Sequence, residues 1–166
     1  PWARLIWSAV AAIGVLVPSV WLQEQMPALP DSGGEMLTKI ISTPGGYFVI
    51  ALLAPVVEEV VFRGAILRAL LSSMQSKWGA ICISAALFAL IHFNPAQTPH
   101  AFLMGLLMGW LYMRTGSIVP GVVFHWSNNT VAYLISVAYP GDDMKLVDIF
   151  GGNETAVVMS VVFSLC

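Results

Sequence analysis

Long apolar runs broken by short polar segments set the pattern of this chain. Six stretches carry little charge: roughly Leu5 to Leu22, Gly46 to Leu71, Trp78 to Phe93, His100 to Tyr112, Ile118 to Tyr139, and Thr155 to Cys166. The breaks between them include MPALPDSGG, STPGG, FNPAQTP, RTGS, YPGDD and FGGNE. These are rich in the Gly, Pro, Asn, Asp and Ser that end helices and make turns. A helix crosses ~30 Å of hydrocarbon with ~20 mainly apolar residues, and several runs approach that length. The pattern predicts an all-α fold, a polytopic transmembrane helix bundle with about six spans. The last run stops inside apolar sequence, which suggests a fragment of a larger bundle. No repeat, heptad or low-complexity tract divides residues 1–166, so a single integral-membrane domain is expected.

Composition strengthens that reading. Of 166 residues 58% are hydrophobic and only 10% charged, and the mean hydropathy is +0.82. So little charge cannot coat a water-soluble surface. A net charge of −2 with scattered Lys and Arg gives no reason to expect nucleic acid as a partner. Cys82 and Cys166 both lie in apolar runs, so neither a disulfide framework nor a CxxC metal knuckle is indicated. The first run starts at Pro1 and is followed by further runs, unlike a signal peptide. With the amino end inside, Arg4, Arg68, Lys77 and Arg114 fall on the cytoplasmic side, and Lys39 and Lys145 outside. Asp31, Glu35, Asp142, Asp143 and Glu154 then face outward. The expected location is a bacterial cytoplasmic membrane, with the lipid bilayer as a partner.

Against this background APVVEEVVFRGAIL, residues 54–67, stands out, because ionisable groups inside a span are expensive and mark function by default. Glu59 and Arg63 are four apart with the acid first, the better orientation for a helical ion pair. Glu58 points about 100° away around the helix and has no partner in its own segment. It must find one on another span or be neutral, and a carboxyl in apolar surroundings is the kind that serves as general base or acid. Pro55 leaves a carbonyl one turn earlier without its hydrogen bond, so a kink or local opening is expected there. A structural clasp between helices is the bland alternative for all three charged residues.

Other spans hold polar partners. FALIHF puts His92 one turn after Phe88, and FHWSNN puts His125 and Asn129 on one helical face, with Ser127 and Asn128 in the same turn. His92 alone reads equally well as interfacial, and the His125 and Asn129 pair as an interhelical hydrogen-bond site. Asn128 opens an NNT glycosylation sequon that its place within a span makes a chance match. Together these groups fit a water-filled pocket. Glu58 with His92 would hold and deprotonate a water, while His125 and Asn129 would donate to an oxygen that becomes negative as water adds to a carbonyl. No G-x-S-x-G, no Cys beside a His and no H-E-x-x-H is present. No cofactor is favoured; a zinc site using Glu58, His92 and His125 stays open, since two His and a carboxylate form a known catalytic set.

Glu58-Glu59-x-x-x-Arg63, Phe88-x-x-x-His92 and His125-x-x-x-Asn129, in that order on successive apolar segments, resemble the three motifs of the CPBP family. This is the CAAX protease and bacteriocin-processing, or Abi, family, whose members include the type II CAAX prenyl endopeptidase. The resemblance implies an intramembrane endopeptidase acting on a membrane-associated peptide or protein, with a catalytic core of four helices over residues 46–139. It implies Glu58 and His92 as activators of water, Glu59 and Arg63 as support, and His125 and Asn129 as oxyanion stabilisers. Two rivals remain: a proton-coupled transporter in which Glu58, His92 and His125 relay protons, and a non-cleaving immunity or scaffold member of the family.

The rest of the chain reads as packing. Met104, Met108, Met113 and Trp110 are expected to pack or meet lipid, and Gly105 and Gly109 to permit close helix approach. Trp2, Trp7, Trp21 and Trp78 lie near span ends as anchors, and His100 is expected at the interface.

Overall fold

The computed structural model describes residues 2–139 and 145–165, and every described element is helical. Asp142, Asp143 and Cys166 lie outside the described residues. The helices are α1 (Trp2–Glu24), α2 (Gly34–Ile41), α3, α4 (Lys77–Leu90), α5 (Thr98–Thr115), α6 (Val119–Ala138), the short α7 (Leu146–Ile149) and α8 (Glu154–Leu165). Helix α3 is one continuous rod in four segments. A π-helical Phe48–Leu53 leads into α-helical Ala54–Glu59, then π-helical Val60–Leu67 and α-helical Arg68–Ser73. The expected disturbance around Pro55 therefore takes the form of wide turns on either side of the acids, the kind of irregularity found at functional sites.

Two of the eight helices among the described residues were not foreseen: α2, inside a stretch read as connection, and α7. The prediction of about six spans goes beyond what the helices show. Among the described residues α1 is the one helix that is by itself long and apolar enough to cross a membrane. Segments α4 and α8 are shorter, α3 is interrupted by its π turns, and α5 and α6 carry the polar side chains of the site. What stands is an all-α bundle.

Small residues bring the helices together. Helices α4 and α5 form an antiparallel hairpin in which Gly105 and Gly109 both face α4. A Cβ at Gly105 would meet Ala85 Cα and Cβ at 2.9 Å, and one at Gly109 would meet Ile81 Cγ2 at 2.9 Å. Ser76 caps α4 by accepting from the Gly79 amide, and Gly116, at φ 66°, ends α5 in the left-handed turn that favours glycine. Behind the hairpin, Phe62, Phe88, Met104, Met108 and Phe124 form the main core with Ala12 of α1. Helix α1 lies against α6 and α8, closing one side of the bundle.

The outer face of α3 is apolar: Val56, Val57, Val60 and Val61 are all exposed. Phe48, Leu52 and Leu53 extend the same exposed surface. An apolar surface this continuous is one that water would not tolerate without a covering.

Candidate active site

The acids of α3 follow different paths. Glu59 and Arg63 are both fully buried, and Arg63 Nη1 donates to Glu59 Oε1 at 2.7 Å. Arg63 Nη2 donates to the Gly105 carbonyl at 3.1 Å, and its guanidinium lies 4.5 Å from the centre of the Phe88 ring. The cation is thus held by three helices, which is how a buried charge is made tolerable. Gly121 of α6 packs on the other carboxylate oxygen, where a Cβ would stand 2.6 Å from Glu59 Oε2. Glu58 turns away from this pair toward α6. Its Oε2 lies 3.7 Å from His125 Nε2, beyond hydrogen-bond range, and has no hydrogen-bond partner among the described residues.

His125 is buried between the two acids, with Nε2 toward Glu58 and Nδ1 3.5 Å from Glu59 Oε1. Phe88 is the spacer around which the rings gather. His92 and His125 both meet it edge to face, at centroid distances of 5.1 and 5.6 Å. His92 lies just past the end of α4, and its Nδ1 is 2.9 Å from the Phe88 carbonyl. A carbonyl only accepts, so Nδ1 carries the proton and Nε2 keeps a free lone pair. Phe93 follows with φ 49°, an uncommon conformation for an aromatic residue, and the chain turns away.

Asn129 donates from Nδ2 to the Ile50 carbonyl at 3.0 Å. The reason lies in α3. In its first π turn the Ala54 amide bonds Val49 O, five residues back. Ile50 O is next in that ladder and would need an N–H from residue 55, which is a proline. Asn129 fills the vacancy, so Pro55 and Asn129 are two halves of one interaction.

Glu58, His92, His125 and Asn129 all line one cavity of about 490 Å³. Leu16, Val20, Met104 and Phe124 make much of its wall apolar, and Leu37, Ile40 and Ile41 of α2 cover one end. Glu59 and Arg63 stand behind this cavity and do not line it. Further polar residues line it, among them His100 and Asn128. His100, expected at the interface, instead faces the cavity, bonded to Ser19 and Asn128. Asn128 is buried beside it. Met104 and Met108 are core residues, whereas Trp110 is exposed. Among the described residues no three His, Cys, Asp or Glu side chains are grouped as a metal site. His125, which a zinc set would need, faces a carboxylate on each ring nitrogen.

One edge of the cavity is tied down outside the bundle core. Asn94, buried after α4, donates to Asp31 Oδ1 at 2.7 Å, and the same oxygen accepts from the Gly33 and Gly34 amides. Burial pushes the Asp31 carboxyl up, but the two amides and Asn94 outweigh it and hold the carboxyl below its ordinary value. Ser32 Oγ adds a bond to the Phe93 carbonyl at 2.8 Å. The segment leading into α2 is thereby fastened to the turn that carries His92.

The profile of the family described as type II CAAX prenyl endopeptidase Rce1-like matches residues 41–131, which include every motif residue above. No curated protein and no solved structure matches the chain.

Proposed function

The chain belongs to the Rce1-like type II CAAX prenyl endopeptidase family, and from that membership we propose that it is an intramembrane endopeptidase that hydrolyses a peptide bond with an activated water. The observation that carries the reading is the convergence of Glu58, His92, His125 and Asn129 on one largely apolar cavity. The substrate is a membrane-associated peptide or protein, and the prenylated CAAX tail of the family's description is the first candidate. The bundle is embedded in lipid as a polytopic protein, with residues 46–139 as its catalytic core and the amino end cytoplasmic. The exposed valines of α3 support this, since acyl chains would cover them.

In the proposed reaction a water sits between the Glu58 carboxylate and the free Nε2 of His92. Glu58 takes a proton as the water oxygen bonds to the carbonyl carbon. His125 and the second amide proton of Asn129 donate to the oxygen that becomes negative. Collapse of this intermediate breaks the C–N bond, and the proton held by Glu58 passes to the leaving amine. Glu59 and Arg63 keep α3 and α5 in place and present His125 toward Glu58. No metal is required by these steps.

The test uses full-length protein in nanodiscs with a quenched fluorogenic peptide carrying a prenylated CAAX tail, followed by mapping of cut termini in the host's membrane proteome. Glu58→Ala and His92→Ala each lower kcat by ~10²–10⁴-fold while the helical circular dichroism is kept. Unchanged turnover in both variants would remove the mechanism. Activity lost to a chelator and restored by zinc would replace it with a metal site. pH-driven flux in liposomes without peptide products would favour the transport reading, and an intact fold with no product a non-cleaving role.

A further inference from the structure

A chain of hydrogen bonds runs from α3 through α6 and α5 to α1, and its direction can be worked out link by link. Ser19 Oγ donates its single proton to the Leu16 carbonyl at 3.0 Å. Toward His100 Nδ1, 2.9 Å away, the same oxygen can then only accept, so Nδ1 bears the proton and Nε2 is bare. Asn128 Nδ2 lies 3.4 Å from that bare nitrogen and 3.3 Å from Asn129 Oδ1. Asn129 is itself set, because its Nδ2 is committed to the Ile50 carbonyl. Asn128 thus spends both amide protons on groups that accept. The flipped carboxamide would set an oxygen against two acceptors. The Asn128 oxygen is left facing the other way, with no hydrogen-bond partner among the described residues, on a residue that lines the cavity; it is closed to water, so a donor reaches it only as neighbouring side chains move aside.

A buried acceptor without a donor is costly, and it is retained where something else supplies the donor. The proposed chemistry leaves this oxygen unused, since Glu58 and His92 handle water and His125 and Asn129 the carbonyl oxygen. A peptide entering an apolar cavity brings a second need. Each main-chain N–H that leaves water must find an acceptor. We propose that Asn128 binds substrate, its carboxamide oxygen accepting a main-chain N–H of the peptide, and that Ser19 and His100 are positioning residues that aim this oxygen. The proposal rests on the endopeptidase reading and adds to it a specific subsite. It also gives α1, which lies outside the matched residues 41–131, a part in the site.

Two measurements on the full-length protein test it. The first is independent of turnover: long-range ¹⁵N–¹H correlation spectra of histidine-labelled protein in micelles. His100 is expected as the Nδ1–H tautomer, shifting toward Nε2–H in Ser19→Ala; an Nε2–H tautomer in the unaltered protein overturns the proposal. The second measures binding of the prenylated CAAX peptide to Glu58→Gln protein, with each amide replaced in turn by an ester that lacks the N–H. One replacement is expected to weaken binding about tenfold. In Glu58→Gln with Asn128→Leu that replacement has no effect, while replacements elsewhere act as before. Equal losses with and without Asn128, no sensitive position, or no saturable binding of the peptide each overturn it. Unaltered protein that binds the peptide with the expected ester effect yet never cuts it would refute the endopeptidase reading and leave the subsite standing.

Discussion

Removing one member of the Glu59 and Arg63 pair should cost far more than removing both. Each side chain is fully buried and they meet at 2.7 Å, so a single replacement strands a charge where water cannot reach it. The penalty for breaking such a pair is ~3–5 kcal/mol. The two single changes are not equal. In Glu59→Leu the guanidinium still has the Gly105 carbonyl and the Phe88 face, whereas Arg63→Met leaves the buried Glu59 carboxylate without its hydrogen-bond donor. Arg63→Met therefore lies at the upper end of the range or beyond it. The double variant removes both charges while the Gly105 carbonyl keeps its partner within α5, so its cost falls well below that of either single change. Equilibrium unfolding in mixed micelles, followed by far-ultraviolet circular dichroism, gives all three values, and the double-mutant cycle gives a coupling of several kcal/mol. Single variants within ~1 kcal/mol of the parent, or losses that simply add, would show that the pair is not the buried clasp described.

Three further outcomes follow from the geometry. Gly105→Ala should destabilise the α4 and α5 hairpin more than Gly109→Ala, since the first new methyl meets backbone of Ala85 and the second only the Ile81 side chain. The expected gap is about 1 kcal/mol, and the reverse order in thermal unfolding would contradict the packing. Asp31 is held below the ordinary carboxylate value, so its contribution is complete above the unfolded value of ~3.9 and is lost as pH falls through the folded one. The Gly34 amide resonance should titrate below ~3.9 and move up in Asn94→Ala; a midpoint already at ~3.9 in the parent would remove the tether. Pro55→Ala restores an N–H that competes with Asn129 for the Ile50 carbonyl, and it should cut turnover with little change in substrate affinity. Equal kcat in this variant would mean that Asn129 does not need that anchor.

The sequence revealed some parts of this arrangement and concealed others, for physical reasons. The Glu59 and Arg63 contact was legible because it depends only on helical spacing within one segment. Helix limits were close for the same reason: Ile118 to Tyr139 was expected and Val119–Ala138 is found. Helix α2 was missed because its eight residues, flanked by Gly and Pro, look like a loop that happens to contain Leu and Ile. His100 was misread because a histidine that opens a span resembles an interfacial one. A signal was present, since His100, Met104 and Met108 share one face at four-residue intervals, and both methionines are core. The π turns left no trace, because in an apolar run a period of 3.6 cannot be told from a longer one. Gathering Glu58, His92 and Asn129 around a single cavity depends on how three helices cross, which no spacing within one helix encodes.

The broad turns of α3 carry a consequence for how this protein tolerates insertions and deletions. A π-helical stretch holds more residues per length of axis than an α-helix does, so Val60–Leu67 stores slack. Loss of one residue there would let the rod tighten without shortening its reach across the bundle. Residues upstream would then keep close to the faces they present now, because a wide turn that closes to an ordinary one takes up the missing residue. The same loss within α-helical Ala54–Glu59 has no slack to draw on and would turn everything upstream by ~100°, sending one acid toward the outer surface. A single-codon deletion in Val60–Leu67 should therefore be tolerated better than one a turn earlier in the same rod.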